Sequence, residues 1–386
     1  MLYIYLRSLV SKKILITGGA GFIGSHLVDA LLAKGHEITV FDNLEPQVHG
    51  NRVNPPEYLA KNITFIKGDI RNHDALHYAI KDCEVVYHLA ARVGVAQSMY
   101  QIADFVDVNS RGTAILQDLL VNTEHKVKKL VVASTMSTYG EGAYKCADCG
   151  SVEPKIRMQA PKPGEDWELH CPICGKSTYP IPTPETKKQE CTTIYALSKK
   201  ETEELSLMVG KTYGIDTTDL RFFGTYGTRQ ALSNPYTGVC AIFSTSLLAG
   251  NPPMLYEDGN QSRDLIYVKD ICQALVLSME KVEAKNEVFN VGTGVPITIK
   301  KVAEVLAKNI NPTIAPNITY KFRAGDVRHT TADISKISSK LGYKPKYTFE
   351  TGIKELLEWI KTQPKMSSAS DKAQQAKEEL AKKGLI

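Results

Sequence analysis

What the chain has little of narrows its class first. No apolar run approaches the roughly 20 residues that a helix needs to cross a bilayer, so a helical membrane protein is not expected. Strong charge of one sign is missing too: 47 Lys and Arg against 42 Asp and Glu leave a formal +5 over 386 residues. That field is too mild to argue for nucleic acid, though it suits an anionic small substrate. Eight cysteines are too sparse for a secreted disulfide scaffold. The apolar opening MLYIYLRSLV has neither the basic start nor the small-residue cleavage site of a signal peptide, and it runs directly into the first strand. The cytoplasm is the expected compartment, with neither membrane nor nucleic acid as partner. With 43% hydrophobic residues, the chain has enough apolar material for a large core divided between two lobes.

What is there begins with KKILITGGAGFIG, Lys12 to Gly24. Ile14, Leu15 and Ile16 predict a strand, the glycines a tight turn, and Phe22 the start of a helix. Gly18, Gly21 and Gly24 remove side chains where backbone must approach a pyrophosphate and where helix must pack on strand. The helix N-terminus offers free N–H groups to the anion. Leu27, Val28, Leu31 and Leu32 share one helix face, and Gly35 ends it. A second strand, Glu37 to Phe41, leads to Asp42, an acid about 20 residues beyond the glycines. There it can hold a ribose 2′-hydroxyl and repel a 2′-phosphate, which favours NAD over NADP; the alternative is a plain turn residue before Asn43.

Strands follow at Ile63 to Ile66, Glu84 to Leu89 and Lys129 to Ala133, with helices from His73 and over about 107–122. Asp69 could receive an adenine amino group or simply cap the helix near His73. Ala90 and Ala91 are small enough for a flat cofactor to lie on the backbone. Five alternations of strand and helix predict a doubly wound parallel α/β sheet, whose ligands sit beyond the carboxyl ends of the strands.

Thr135 lies at that edge, in STMSTYG, and YALSK follows from Tyr195. Tyr195 and Lys199, four apart, share a helix face, so the ammonium can sit near the phenol. Such a cation, joined by a positive nicotinamide, favours phenolate. Further strands and helices run to Thr362, and the tail from Gln363 reads as a linker plus an exposed helix without chemistry. Arg263 and Arg328 are candidates for a diphosphate, since guanidinium forks match it bidentately; surface ion pairing is the alternative for each.

Cys146-Ala-Asp-Cys149-Gly and Cys171-Pro-Ile-Cys174-Gly, about 20 residues apart, are two knuckles of the kind that close a tetrahedral shell around structural zinc. A redox dithiol and an iron–sulfur centre are the alternatives. Cys83, Cys191, Cys240 and Cys272 are scattered and read as inert thiols.

Taken together, TGGAGFIG, FDNL, GDI, HLAA, VNSRGT, YALSK, LRFFGTYG, DGNQSRDLIYVKD, FNVGTG and DVRHTTAD resemble the extended short-chain dehydrogenase/reductases, and among them the nucleotide-sugar epimerases of UDP-glucose 4-epimerase type. The Cys-rich insert and LSNPYTG resemble the subgroup acting on dTDP-L-rhamnose. This resemblance implies a Rossmann domain over residues 12–215 carrying a zinc-ribbon insert at 141–190. It implies a substrate lobe over 216–362, from which about 265–292 returns to the first lobe, and a tail at 363–386. It implies Thr135, Tyr195 and Lys199 as catalytic residues. The cofactor site it implies comprises Gly18, Gly21, Phe22, Ile23, Gly24, Asp42, Asn43, Asp69, Ile70, Leu89, Ala90, Ala91, Asn109, Tyr195, Lys199 and Phe222. Thr135, Gln261, Arg263 and Arg328 become substrate contacts, a nucleotide-diphosphate sugar the ligand, and a homodimer the assembly.

Two departures matter. Dehydratases and decarboxylases of this kind carry a glutamate where Ser137 stands, and dehydratases often an acid at Met136. Without it, water elimination lacks its general acid, whereas epimerisation needs none. Gly224 stands where an asparagine usually touches substrate. A 4,6-dehydratase and a non-catalytic NAD-sensing module are the rival readings.

Overall fold

The computed structural model describes residues 11–162, 165–232, 234–236, 238–323, 325–363, 375–376 and 378–384. The opening decapeptide lies outside them, as do Ser233 and Thr237 of LSNPYTG and the linker expected after Gln363. Among the described residues, no helix is long and apolar enough to cross a membrane.

Seven strands build one parallel sheet: β1 (Lys13–Thr17), β2 (Glu37–Asp42), β3 (Thr64–Lys67), β4 (Val85–His88), β5 (Lys129–Thr135), β6 (Asp216–Phe222) and β7 (Glu287–Val291). Their order is β7-β6-β5-β4-β1-β2-β3, so the chain reverses direction at β1/β4 and opens a crevice beyond their carboxyl ends. The strands read as apolar runs because helices cover both faces: Ile14, Leu15, Ile16, Val86, Val131 and Val132 are fully buried. Helix α1 (Phe22–Leu32) packs one face with α2 (Val268–Glu280), burying Leu27, Val28, Leu31, Ile271 and Leu275. On the other face lie Leu116, Leu119 and Leu120 of the helix Gly112–Asn122. That helix is preceded by a π-helical turn, Val106–Arg111, where a continuous α-helix is expected. The extra residue per turn aims Asn109 inward, a common role of such turns.

A second core is formed by Tyr226, Phe243, Leu247, Tyr267, Val302, Leu306, Ile353 and Leu356, largely from chain beyond β6. A separate three-stranded antiparallel sheet is formed by Ala143–Cys146, Gly150–Val152 and Thr178–Ile181. It has its own small core of Tyr144, Val152 and Leu169 beside the cysteines.

Candidate active site

The glycine turn is closed on every side by backbone. Gly18 adopts φ +70°, and a Cβ there would stand 2.8 Å from the Ala90 nitrogen. One at Gly24 would stand 2.3 Å from the Gly18 carbonyl oxygen, so helix and strand touch through these two residues. Gly21 is the N-cap of α1, and Phe22 and Ile23 open its first turn. The turn is tied to β2, since Asp42 accepts from Ala20 N–H at 3.0 Å and from Leu44 N–H at 2.9 Å. Asp42 is thus a buried acid in contact with the turn itself, not a plain turn residue.

Asp69 does not cap the following helix; Asn72 does, its side chain accepting Ala75 N–H at 3.1 Å. The Asp69 carboxylate instead carries the Arg71 fork, at 2.8 and 2.7 Å, and the Asn43 amide, at 3.1 Å. The Arg71 hydrogen bonds hold it down to about 2. Ile70 is buried beside Gly112. Leu89, Ala90 and Ala91 continue past the end of β4, and Ala90 N–H donates to Thr17 Oγ1 at 3.2 Å. Phe222, at the end of β6, pairs in register with Thr135 at the end of β5.

Thr193 caps helix α3 (Ile194–Tyr213) by accepting Ala196 N–H at 3.2 Å, which starts the helix one residue ahead of Tyr195. Ser98 accepts Tyr195 N–H at 3.0 Å, and Phe105 meets the phenol ring edge-on at 6.5 Å. Asn109 holds both backbone groups of Arg92, at 2.7 and 3.1 Å, and donates to Ser198 at 3.0 Å, between the tyrosine and the lysine. Burial pushes the Tyr195 phenol up to about 12, and its Thr135 hydrogen bond pulls the other way. Burial also lowers the Lys199 ammonium to about 8. Alone, the phenol is therefore a poor base at neutral pH. A second cation over the site would be needed to expose its phenolate form.

A cavity of about 910 Å³ is lined by Met136 and Ser137, which follow Thr135 in the chain, and by Thr192 and Thr193, ahead of Ile194 and Tyr195, and runs to Gln261, Arg263 and Arg323; Thr135, Tyr195 and Lys199 are not among its lining residues. Among its described lining residues the one carboxylate is Asp326, which binds Arg263 at 3.2 Å. Two lining groups are buried without a partner, Gln261 Oε1 and Arg323 Nε. Burying polar atoms costs free energy until something meets them, so both mark places for a ligand. Gly224 also lines the cavity. A Cβ there would meet Leu265 at 2.7 Å and the Asp264 carbonyl oxygen at 2.9 Å, so here the position has no room for the side chain other chains carry.

Arg328 is not placed as expected. It is fully buried, and its guanidinium is filled by Glu168, Glu257 and Asp258, with Glu257 at 2.8 Å and Asp258 at 2.7 Å. It does not reach the cavity; Arg323, five residues earlier, does. Arg323 rests on the Tyr256 ring at 4.6 Å. Sequence reading passed it over because nothing local separates it from Arg328. The tail also differs from expectation: Leu380 is buried, and with Ala376 it lines the cavity.

In the insert, the four thiol sulfurs of Cys146, Cys149, Cys171 and Cys174 lie within 4.8 Å of one another. Gly150 and Gly175, after each second cysteine, take φ +74° and +72°, which lets each knuckle fold back. Cys83, Cys240 and Cys272 are buried far along the chain from this group, and Cys191 is half-buried.

With this geometry, known proteins are informative. The family model for NAD dependent epimerases/dehydratases matches residues 14–156, and that for GDP-mannose 4,6 dehydratase matches 174–356. A dTDP-L-rhamnose 4-epimerase of Burkholderia thailandensis is 33% identical over 351 residues, 90% of this chain and 95% of that one. The UDP-glucose 4-epimerase of Thermotoga maritima, solved with UDP-glucose, is 31% identical and superposes with TM-score 0.73 over 90% of this chain and 98% of its own. That of Thermus thermophilus, solved with NAD, is 29% identical with TM-score 0.70, over 91% and 100%. The glycine turn, the sheet order and these likenesses agree, and the chain belongs to the NAD-dependent epimerase/dehydratase family of extended short-chain dehydrogenase/reductases.

Proposed function

We propose that the chain is an NAD-dependent nucleotide-sugar 4-epimerase acting on dTDP-L-rhamnose, with UDP-glucose or UDP-N-acetylglucosamine as the alternative substrate. One observation supports the reaction type: the cavity is lined by Met136 and Ser137, the two residues that follow Thr135, and its one carboxylate among the described lining residues is Asp326, which is paired with Arg263. A dehydratase needs an acid there to move protons at the sugar's C5 and C6. The Burkholderia relative supports the substrate.

The glycine turn, Asp42, the Ala90–Ala91 backbone and Phe222 would hold NAD, which supplies a reversible hydride acceptor when bound. Tyr195 takes the proton from the sugar 4-hydroxyl as the C4 hydride leaves, Thr135 orients the oxygen, and Lys199 stabilises the phenolate. The 4-keto sugar would turn about its diphosphate linkage to present its opposite face, where Tyr195 would return the proton to the 4-oxygen and bound NAD would supply the hydride it had accepted. No net oxidation occurs. Arg263 and Arg323 hold the diphosphate throughout, so the keto sugar is kept in place while it turns.

Purified protein given each of the three sugar nucleotides, with no reductant added, is expected to interconvert one of them with its 4-epimer, followed by proton NMR. A stoichiometric demand for NADPH would make it a reductase, and a 4-keto-6-deoxy product a dehydratase. One structural zinc on the four thiolates belongs to the same reading. The Cys146 and Cys174 sulfurs lie 3.6 Å apart, close to the roughly 3.8 Å edge of a tetrahedron with Zn–S of about 2.3 Å. So do a cytoplasmic setting and a homodimer built on helices of the cofactor lobe.

A further inference from the structure

The segment Phe322 to Arg328 has two sides. Towards the cavity it presents Arg323, Gly325, Asp326 and Val327. On the other side it is gripped by the cysteine-bearing insert. Trp167 stacks on Phe322 with ring centroids 6.4 Å apart and planes 28° apart. The Arg157 guanidinium lies over the same ring at 5.6 Å. The Arg157 carbonyl accepts Gly325 N–H at 2.9 Å. The arm made by these residues is itself fixed: Arg157 donates to the Trp167 carbonyl at 3.1 Å and to the buried Glu257 at 2.7 Å. Glu168 closes the far end, accepting from Arg328 Nε at 3.1 Å and meeting His329 Nε2 at 2.8 Å. Glu168 stands three residues ahead of Cys171, so the grip begins where the second knuckle begins.

We infer that the insert's arm, Arg157 with Trp167, positions Arg323 for the substrate diphosphate, so that the insert sets nucleotide affinity without touching the nucleotide. The physical reason is the state of Arg323. Its Nε has no partner, its Asp326 contact is long at 3.9 Å, and its planar group lies over the Tyr256 ring at 4.6 Å. Outside the insert the backbone is held two residues before Arg323, where the Lys321 carbonyl accepts Glu257 N–H at 2.8 Å, and the insert clamps it immediately before and two residues after. An arginine whose place is fixed in advance loses less freedom when a diphosphate arrives. The inference deepens the nucleotide-sugar reading and rests on it.

The test is a set of three variants: Trp167→Ala, Trp167→Phe, which keeps a stacking ring, and Arg157→Ala. Dissociation constants for dTDP and UDP would be measured by calorimetry beside KM, kcat, bound NAD and melting temperature. In Trp167→Ala and Arg157→Ala the dissociation constant and KM are expected to rise on the order of tenfold. kcat and NAD content should hold within about twofold, since an interaction made equally in ground and transition states is lost. Trp167→Phe should recover most of the affinity. Unchanged nucleotide affinity in both alanine variants would overturn the inference, as would losses in kcat, NAD content and melting temperature that track the loss of affinity, which would mean a merely structural contact. A parent enzyme that binds neither nucleotide and turns over no sugar would instead overturn the functional reading, and the inference with it.

Discussion

Tyr195 and Lys199 share an environment that works against both their charges. Burial raises the phenol to about 12 and lowers the ammonium to about 8, so the site is poised to be completed by a cationic ring. Replacing Tyr195 by Phe is expected to cut epimerisation by about 10³, within the 10²–10⁴ range of a lost acid–base group, while leaving NAD content unchanged by mass spectrometry. Asp219, on β6, is fully buried with neither carboxylate oxygen partnered. Burial first, then Glu203, holds it well above the usual carboxylate range, against Lys199 and Arg221. A carboxyl kept protonated by folding takes up a proton as the chain folds, so the folded state loses stability as pH rises from its ordinary value of 3.8 towards its folded one. Asp219→Asn should therefore melt higher than the parent at pH 8, by on the order of a few degrees, with the gap closing towards pH 4. Thermal melts across that range would decide it. None of this was legible in the sequence, where Asp219 reads as one polar residue in a strand. The same holds for Arg323 and Arg328, which look interchangeable five residues apart. Three carboxylates, Glu168, Glu257 and Asp258, come from two other stretches of chain to fill Arg328, and no local pattern announces them.

At the scale of elements, legibility followed periodicity. Helix α1 starts at Phe22 and β2 runs Glu37–Asp42, each within a residue or so of where glycines and apolar spacing predict, because both rules act over neighbouring residues. The π-turn at Val106–Arg111 and the two- and three-residue strands escaped, since one added backbone residue leaves no mark on side-chain spacing. The insert was read as metal knuckles but not as a sheet; its strands are too short to alternate. Four thiols crowded within 4.8 Å could give up their protons to one shared cation, and the binding free energy of such a cation would add to folding free energy. One zinc per chain is expected by elemental mass spectrometry. Cys171→Ser should bring the stoichiometry below one half and lower the melting temperature while the far-ultraviolet circular dichroism of the seven-stranded sheet persists.

Across the whole molecule, two main cores divide the chain: one packs the parallel sheet, and the second supplies Tyr226, Phe243 and Leu265 to the wall of the cavity. The division was visible in the drift from alternating strand and helix to glycine- and proline-rich stretches after Ile215. What could not be seen was the return of the chain's last turns. Leu380, expected on an exposed helix, is buried and lines the same cavity as Tyr236, Val239 and Ile242. Deleting residues 375–386 should raise KM on the order of tenfold with kcat held, the signature of lost uniform binding, in steady-state assays of the shortened enzyme. The position of Leu380 also carries a practical consequence. A purification handle, fluorescent reporter or surface tether fused just after that helix would begin a few residues from the cavity that Leu380 lines, so a bulky one is expected to weaken access to it.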